Sequence, residues 1–523
     1  MSAGSVGGSG VAGKRAVRKI ADTYADSMIL LVATSVMSAG PGISWASAVM
    51  ATPGALADLA EQGFGPADLN GASASDLVLA VHACDEDRAY AALAAGADSI
   101  FSAAREDRAD RPEEPPRTIE AAREHLPGAN VAIISVPGPY AALEAHHALT
   151  AGMHVLLFSD NVTLAEEVEL KRRATELGLL VMGPGAGTAV LAGTGLGFAN
   201  VVRRGPVGVV AAAGTGAQEV SALLDRWGVG VSQVIGVGGR DLSEKVGGRM
   251  AAAAVRALDA DPGTQAILVV SKPPDPRVAT LVLEQRAVTP VVAVFMGVAD
   301  LVRPAGVELA RTLEAGAVAA ARLAGGVPGD PASGLANRAA QAAARLPEHR
   351  RAIRGFYSGG TLCYEAQVII SGLLGPVYSN EPLASANTVP APPGSHVLLD
   401  LGAEEYTLGR PHPMIDPQSR IEILRAQARD PEVAVVLLDV VLGHGSHADP
   451  AAALAPVLAE VMADSGPRVV AYVLGSHGDP QGYARQRATL EAAGCLVTET
   501  AARAAYLAAA IAAREPEIAE RRH

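Results

Sequence analysis

The sequence has little of what nucleic-acid binding or metal binding requires. Aromatic residues make up 3% of its 523 residues and the net charge is −13, so both the stacking side chains and the basic surface of a nucleic-acid-binding protein are lacking. The three cysteines, Cys84, Cys363 and Cys495, have neither metal-site nor disulfide spacing. We therefore expect no nucleic-acid partner, no metal site and a reducing, cytoplasmic location.

Long apolar runs are also missing, although 49% of the residues are hydrophobic. No run approaches the ~18 residues of a membrane span, which argues against a membrane protein. The strongest run, residues 27–37, is too short, and we predict a buried strand there. Residues 1–13 contain no apolar signal-peptide core, and we predict a flexible tail.

The sequence does contain an internal repeat of one α/β pattern. Residues 207–220 and residues 355–369 each pass through small or apolar residues into a Gly-Thr turn, and a glutamate follows four positions after the threonine. Three further segments pair in the same order: 265–276 with 433–450, 289–297 with 467–482, and 312–318 with 489–497. Four pairs in one order predict two copies of one α/β unit.

Each glycine turn leads from a strand towards a helix. This arrangement leaves backbone N–H groups and the positive end of the helix dipole free to face an anion. We therefore predict phosphate-binding residues in both copies: Gly214, Thr215, Gly216, Gly360 and Thr361.

Short strands and helices also alternate between residues 118 and 204, which predicts a parallel sheet with right-handed crossovers. Ligands of such sheets bind beyond the carboxyl ends of the strands. Turns at Pro137, Gly138, Gly183, Pro184 and Gly185 fall at those ends. The glycines of residues 193–197 lack the full dinucleotide-binding fingerprint, which disfavours that alternative.

These residues resemble known proteins. Residues 129–297 look like the α subunit of succinyl-CoA synthetase, and the second repeat is similar to a ligase domain of the same enzymes. Nearly the whole chain resembles the FdrA family of bacterial acyl-CoA-synthetase-like proteins. The strings that carry this resemblance include FSDNVTL (158–164), LLVMGP (179–184), GGRDLS (238–243), VSKPP (270–274), GRPHPMIDP (409–417) and LLDVVLG (437–443).

The resemblance implies a multidomain α/β fold, with a Rossmann-like CoA-binding-type domain and two flavodoxin-like ligase domains. We expect the following division: tail 1–13, small N-terminal α/β module 14–103, linker 104–117, CoA-binding-like domain 118–204, first ligase-like domain 205–326, connector 327–353 and second ligase-like domain 354–523. CoA is then a candidate cofactor, held by the turns at residues 137–138 and 183–185.

The resemblance also implies a phosphoryl site between two facing helix N-termini. One helix would begin at Gly214, and we expect the other to begin just after LDVVLGHGSHADP (438–450), near Gly443, Gly445 and Ser446. The chain departs from the ligases because no histidine follows the strand at 289–297 and no ATP-grasp domain is present. Lys272 stands where the ligases have a glutamate and could bind a phosphate as a point charge; the alternative is a solvated lysine at a strand end.

Three further side chains are candidates for catalysis. Arg410 and His412 lie in a loop stiffened by prolines and suit carboxylate or phosphate recognition, unless the loop is only a rigid connection between domains. His477 could act as a base oriented by Asp479, or could lie in an ordinary turn. Asp449 directly before Pro450 is typical of a helix N-cap. This weakens the case for the nearby His447 as a base oriented by Asp449.

The FdrA resemblance implies a subunit that works with two partner proteins as a carbamoyltransferase. It would act on oxamate, with carbamoyl phosphate as donor or product, in the breakdown of allantoin. The first alternative is a subunit of an acyl-CoA synthetase whose nucleotide step lies in a partner. The second alternative is a scaffold without catalysis that assembles the partners.

Overall fold

The fold is given by a computed structural model, which describes residues 14–23, 25, 27–69, 71–109, 116–298, 301, 303–407 and 410–522. The predicted tail at residues 1–13 lies outside this range. The described chain divides into two compact units: residues up to 109 together with 404–412 form the smaller one, and the remainder forms the larger one. Among the helices of the described residues, none combines the length and apolar character needed to cross a bilayer.

The smaller unit is a three-stranded antiparallel sheet with helices. Its strand order is β1-β3-β2. The elements are β1 (Lys14–Ile20), α1 (Ser27–Ser38), β2 (Ile43–Met50), α2 (Pro53–Glu61), α3 (Pro66–Leu69), β3 (Leu77–Ala83) and α4 (Glu86–Ala109). Helix α4 continues to Ala109, so the first six residues of the predicted linker at 104–117 are helical.

The predicted buried strand at residues 27–37 is wrong, because this segment forms helix α1. Ala33 and Met37 are fully buried and lie one helical turn apart. Val32 and Val36 are 50% and 38% exposed, so apolar side chains cover the solvent face as well as the core face. This second apolar face hides the helical period from a reading of the sequence.

The larger unit begins with a three-stranded parallel sheet of order β4-β5-β6. Its strands alternate with helices as the sequence predicts. The elements are α5 (Ile119–His125), β4 (Val131–Ile134), α6 (Gly138–Thr150), β5 (His154–Leu157), α7 (Leu164–Leu177) and β6 (Val181–Met182).

The first repeat forms a seven-stranded sheet of order β13-β12-β11-β9-β10-β7-β8. A hairpin of β7 and β8 closes one edge, and β9 to β13 are parallel. The elements are β7 (Thr188–Leu191), β8 (Thr194–Gly197), β9 (Arg204–Ala212), α8 (Gly214–Arg226), β10 (Val231–Gly236), α9 (Arg249–Ala260), β11 (Ala266–Ser271), α10 (Pro276–Leu283), β12 (Val291–Phe295), β13 (Val307–Ala310) and α11 (Leu313–Leu323).

The second repeat follows a connecting helix and forms a six-stranded parallel sheet of order β15-β16-β14-β17-β18-β19. Its elements are α12 (Leu335–Ala343), β14 (Ala352–Tyr357), α13 (Gly360–Leu374), β15 (Val377–Tyr378), β16 (His396–Asp400), α14 (Glu404–Thr407), α15 (Gln418–Gln427), β17 (Val433–Val441), α16 (Pro450–Met462), β18 (Arg468–Leu474), α17 (Tyr483–Ala492), β19 (Leu496–Thr498) and α18 (Ala501–Ala513). Of these, α14 belongs to the smaller unit.

The two sheets confirm the duplication. Strands β10-β9-β11-β12-β13 and strands β16-β14-β17-β18-β19 occupy matching places, and both follow the flavodoxin-like order 2-1-3-4-5. In three of the four predicted segment pairs, the two segments form elements that occupy the same place in the order of their repeats. The fourth pair is wrong: Thr312 caps the last helix of its repeat, whereas Thr489 lies inside α17 and the corresponding cap is Thr500.

Candidate functional site

Helices α8 and α13 begin without a side-chain cap. Their N-cap residues are Ala213 and Gly359, and neither side chain accepts a hydrogen bond from the first turn. By contrast, a threonine hydroxyl caps α11 and α18. The first turns of α8 and α13 therefore have backbone N–H groups that no N-cap side chain of their own helix binds.

These two helix ends meet each other. The backbone N–H of Thr361 donates to the hydroxyl oxygen of Thr215 at 3.3 Å. A Cβ on Gly216 would lie 2.9 Å from the Thr361 methyl group, so only glycine permits this approach. Gly214 is exposed and has open space beside it. The structure thus brings together the predicted residues of both repeats. The positive ends of two helix dipoles lie beside the open space at Gly214, which we call the gap.

A buried ion pair anchors the start of α13. The carboxylate of Asp439 accepts hydrogen bonds from the backbone N–H groups of Ser358 and Gly359 at 2.9 and 2.8 Å. The guanidinium of Arg420 donates to the same carboxylate at 2.9 Å, and both side chains are buried. Asp439 therefore accepts from the two backbone N–H groups just before α13 and not from those of the first turn of the helix. The signal that could have revealed it is one acidic residue inside the otherwise apolar strand β17.

Lys272 and Asp400 lie beside the same helix end. The Lys272 ammonium is 5.5 Å from the centre of the Tyr364 ring in the first turns of α13. Burial raises the pKa of Asp400 to about 6, against the opposing effect of the positive charge on Lys272. One Asp400 oxygen is so close to Gly360 that a Cβ on that glycine would have no room. The sequence predicted Lys272 here but missed Asp400.

The expected second helix is found at the end of residues 438–450, but Gly443, Gly445 and Ser446 lie in the loop before it and outside its first turn. The helix that follows, α16, begins at Pro450, and Asp449 caps it by accepting from Ala452 N–H, so the predicted cap is confirmed. The glycine loop instead packs on residues 198–200, with His444 N–H donating to Ala199 O at 2.8 Å.

The loop at Gly443 nevertheless approaches helix α8. The Asn200 amide donates to Leu442 O at 3.0 Å and accepts from the Gln218 amide of α8 at 3.3 Å. The Gly443 N–H itself is bonded to Gln481 at 3.0 Å. Asn200 therefore links this loop to α8, while α13 supplies the facing helix end.

The predicted catalytic residues Arg410 and His412 lie in the smaller unit. The Arg410 guanidinium forms an ion pair through two of its nitrogens with Asp58 of α2. This pairing binds residues 404–412 to the N-terminal sheet and favours the alternative of a rigid loop.

His477 lies in different surroundings from Lys272. It follows β18, and its ring lies edge-on to Tyr483 with 5.3 Å between the ring centres. With Arg226 and Arg487 it lines a cleft of about 460 Å³. The Asp479 carboxylate binds Asn200 and backbone N–H groups, so these bonds provide no orienting partner for His477.

The predicted cofactor turns converge at the carboxyl edge of the β4-β5-β6 sheet. Pro137 and Gly138 begin helix α6, directly after β4. The Ser159 hydroxyl, after β5, donates to Val136 O, and Gly185 N–H, after β6, donates to Ser159 O at 3.0 Å. A Cβ on Gly138 would touch the backbone of residues 160–161. The turn at Gly183 and Pro184 thus lies beside the other two, as expected for a ligand-binding edge.

Two family descriptions match parts of the chain. Residues 356–511 match the CoA-ligase family, and residues 14–116 match the heavy metal-associated domain of AllF. In the described residues no group of three or more His, Cys, Asp or Glu side chains could hold a metal ion. Cys84 is the only cysteine before residue 363, and its sulfur accepts from the Arg88 guanidinium at 3.2 Å. A lone thiol beside a cation does not fit a heavy metal.

Comparison with curated proteins extends the match. The chain is 28% identical to a mitochondrial α subunit of succinate–CoA ligase (ADP-forming) from Trichomonas vaginalis, over 28% of this chain and 47% of that subunit. It is 30% identical to the ADP-forming sulfoacetate-CoA ligase subunit SauD of Bilophila wadsworthia, over 32% of this chain and 59% of SauD. These ligase subunits match the chain over only about half of their own length.

A further relative matches over most of its length. The chain is 42% identical to the uncharacterized protein YahF of Escherichia coli over 404 residues, which are 75% of this chain and 78% of YahF. The strand order, the CoA-ligase match and this identity agree. The chain belongs to the family of YahF, within the succinyl-CoA synthetase-like proteins.

Proposed function

We propose that the gap between the N-termini of α8 and α13 binds the phosphoryl group of an acyl phosphate. The observation that carries the proposal is the contact between Thr215 and Thr361, which sets two uncapped helix ends against each other. Two helix dipoles and the nearby Lys272 provide preorganised positive charge for a dianion.

The proposed reaction is carbamoyl transfer between carbamoyl phosphate and an oxamate-type amide. Carbamoyl phosphate is an acyl phosphate, so it would use the anion site without a phosphohistidine. No histidine occurs in residues 289–306, around the loop after β12. In such a site, charge neutralisation and positioning of the two reactants would supply most of the catalysis.

The proposal includes two partner subunits. The succinate–CoA ligase and SauD relatives are themselves named as subunits, which supports a role within a larger assembly. The chain would then supply the acyl-phosphate site, and the partners would complete the binding of the amide.

A second candidate is an acyl-CoA ligase-like subunit. The convergence of the turns at residues 137–138, 159–161 and 183–185 favours it, because ligands such as CoA bind at the carboxyl edge of a parallel sheet. SauD, a sulfoacetate-CoA ligase subunit, supports the same candidate. A rise in melting temperature with CoA, but not with carbamoyl phosphate or inorganic phosphate, would favour it over carbamoyl transfer.

The charge on Lys272 provides the main test. In a complex reconstituted with its partners, Lys272→Ala should lower the rate of carbamoyl phosphate formation or use by ~100-fold or more, because a transition-state charge partner is lost. Lys245→Ala, which removes an exposed lysine of the same ligase domain, should leave the rate unchanged. An unchanged rate for Lys272→Ala would instead support the scaffold role.

A further inference from the structure

Asp400 is held rigidly at the carboxyl end of β16. Its backbone N–H donates to the Asn380 side chain at 2.9 Å, and its backbone carbonyl accepts from the same side chain at 3.0 Å. Its Oδ1 accepts from Gly402 N–H at 3.0 Å. The residue is only 7% exposed, so the carboxylate is fixed in position and largely removed from water.

The second oxygen of this carboxylate faces the proposed anion site. Oδ2 lies against the Cα of Gly360, the first residue of α13. Within the part of the chain that the structure describes, no donor forms a hydrogen bond to Oδ2. A carboxylate oxygen with a free lone pair is therefore aimed at the helix end that would receive a phosphoryl group.

The charged groups around Asp400 come from several elements. Lys272, after β11, favours its ionised form, whereas Asp439 of β17 and Glu381, after β15, favour its neutral form. Burial is the largest effect and, together with Asp439 and Glu381, outweighs Lys272 and the Gly402 N–H, so the pKa lies at about 6. A dianion in the gap would add negative charge beside Oδ2 and would raise this pKa further. Anion binding should then be accompanied by uptake of a proton.

We propose that Asp400 is the proton carrier of this site: it is neutral while a dianion occupies the gap, and it exchanges its proton with the nitrogen of the substrate. This inference rests on the proposed function. It also specifies the substrate class, namely N-carbamoyl or N-acyl compounds whose leaving group is an amide or amine nitrogen.

The proton balance follows directly. In the direction of phosphorolysis, an oxygen of hydrogen phosphate attacks the carbonyl carbon and forms the new C–O bond. The C–N bond breaks, Asp400 donates its proton to the departing nitrogen, and the proton of hydrogen phosphate returns to Asp400. In the reverse direction neutral Asp400 donates its proton to the departing phosphate oxygen, which leaves as hydrogen phosphate, and Asp400 accepts the proton of the attacking N–H. A thiolate leaving group, with a thiol pKa of about 8.5, would need no such donor, so the arrangement favours amides over CoA thioesters.

Calorimetry with sulfate tests the coupling between the anion and the proton. Sulfate is a dianion that does not titrate near neutral pH, so a proton taken up on binding must enter the protein. Titrations in buffers of different ionisation enthalpy should show uptake approaching one proton, and the dissociation constant should rise about tenfold per pH unit above pH 6.5. Asp400→Asn should bind sulfate with no uptake and with an affinity independent of pH.

The outcomes separate the two proposals. If the unmodified protein does not bind sulfate, the anion site and the role of Asp400 both fail. If it binds sulfate and Asp400→Asn takes up the same number of protons, only the role of Asp400 fails. A constant sulfate affinity of the unmodified protein between pH 6 and 8 would overturn that role even if the variant does not fold.

Turnover provides an independent readout. In the reconstituted complex, Asp400→Asn should lower turnover of carbamoyl phosphate with oxamate by ~100-fold or more, the size of a lost general acid, while sulfate binding persists. Full turnover by a variant that retains sulfate binding would contradict proton transfer by Asp400.

Discussion

At the scale of single residues, the site depends on a glycine that allows two helices to touch. A Cβ on Gly216 would lie 2.9 Å from the Thr361 methyl group and 3.1 Å from a Val270 methyl group. Gly214, two residues earlier in the same helix, has open space at the equivalent point. The Gly-Thr-Gly turn therefore contains one glycine required by packing and one that packing does not require.

We expect Gly216→Ala to lower the free energy of unfolding by about 1–3 kcal/mol, the usual cost of overpacking a close contact. Gly214→Ala should leave it nearly unchanged. Urea denaturation of both variants measures the difference. Equal stabilities would mean that the approach of α8 to α13 does not require a glycine at position 216.

The sequence revealed part of the site at this scale. The glycines and threonines of α8 and α13 could be predicted because a strand followed by a glycine turn and a helix is a local pattern. Asp400 could not, since it ends a strand and its role depends on neighbours that are distant in the chain. Asp439 offered one signal, an acidic residue inside an apolar strand, but its partners are equally distant. Arg410 was chosen for its chemical type, and its pairing with Asp58 depends on a contact across 352 positions.

At the scale of elements, a buried glutamate of each repeat accepts a hydrogen bond from a helix of the other repeat. Glu219 of α8 accepts from Ala501 N–H at the start of α18, and Glu365 of α13 accepts from Leu313 N–H at the start of α11. Each glutamate thus serves the last helix of the other repeat. Burial raises the pKa of Glu219 to about 7 and that of Glu365 to about 8.

The raised pKa values of these two glutamates predict that the stability of the protein depends on pH. Because both pKa values are higher in the folded state than the ordinary 4.5, the folded state binds more protons above that value. The stabilisation is complete below pH 4.5 and is lost as pH rises through 7 and 8. Each group should lower the free energy of unfolding by about 1.4 kcal/mol per pH unit between its two pKa values.

Urea denaturation between pH 5 and 8 would show this loss, and the double variant Glu219→Gln, Glu365→Gln should flatten it. Glu460→Gln is the matched control, because that glutamate lies on the surface and its pKa is lowered by Arg425 and Arg429. If the free energy of unfolding of the double variant depends on pH as it does in the unmodified protein, these glutamates are not the cause of that dependence.

At the scale of the whole molecule, the duplication was readable because both repeats use the same order of strands. The sequence showed it through Val-rich strands, which are buried on both faces in a parallel sheet. One predicted segment pair was wrong, because its two segments match in sequence but occupy different positions in the structure. The shared TLEA string lies at a helix cap in one repeat and inside α17 in the other. A similar composition of alanine-rich helices, rather than a shared position, explains that error.

The larger unit also contains a buried ionic cluster that the sequence did not reveal. Lys171 of α7 donates to Glu167, to Val237 O and to Asp241, at 2.8 to 2.9 Å, and is fully buried. Asp241 in turn accepts from the first turn of α9 at 2.9 Å. The cluster thereby joins α7 to the residues that follow β10 and to α9 of the first repeat.

Removal of this lysine should therefore destabilise the larger unit as a whole. Lys171→Ala leaves buried Asp241 without its cation and Glu167 with only the half-exposed Arg240. Removal of one partner from a buried ion pair typically costs about 3–5 kcal/mol. The neighbouring Arg172 also pairs with two glutamates, but on the surface, where solvent screening leaves such pairs little effect on stability. Urea denaturation should separate Lys171→Ala from Arg172→Ala by several fold in lost stability. A loss of similar size in both variants would show that the buried cluster does not hold α7 to the first repeat.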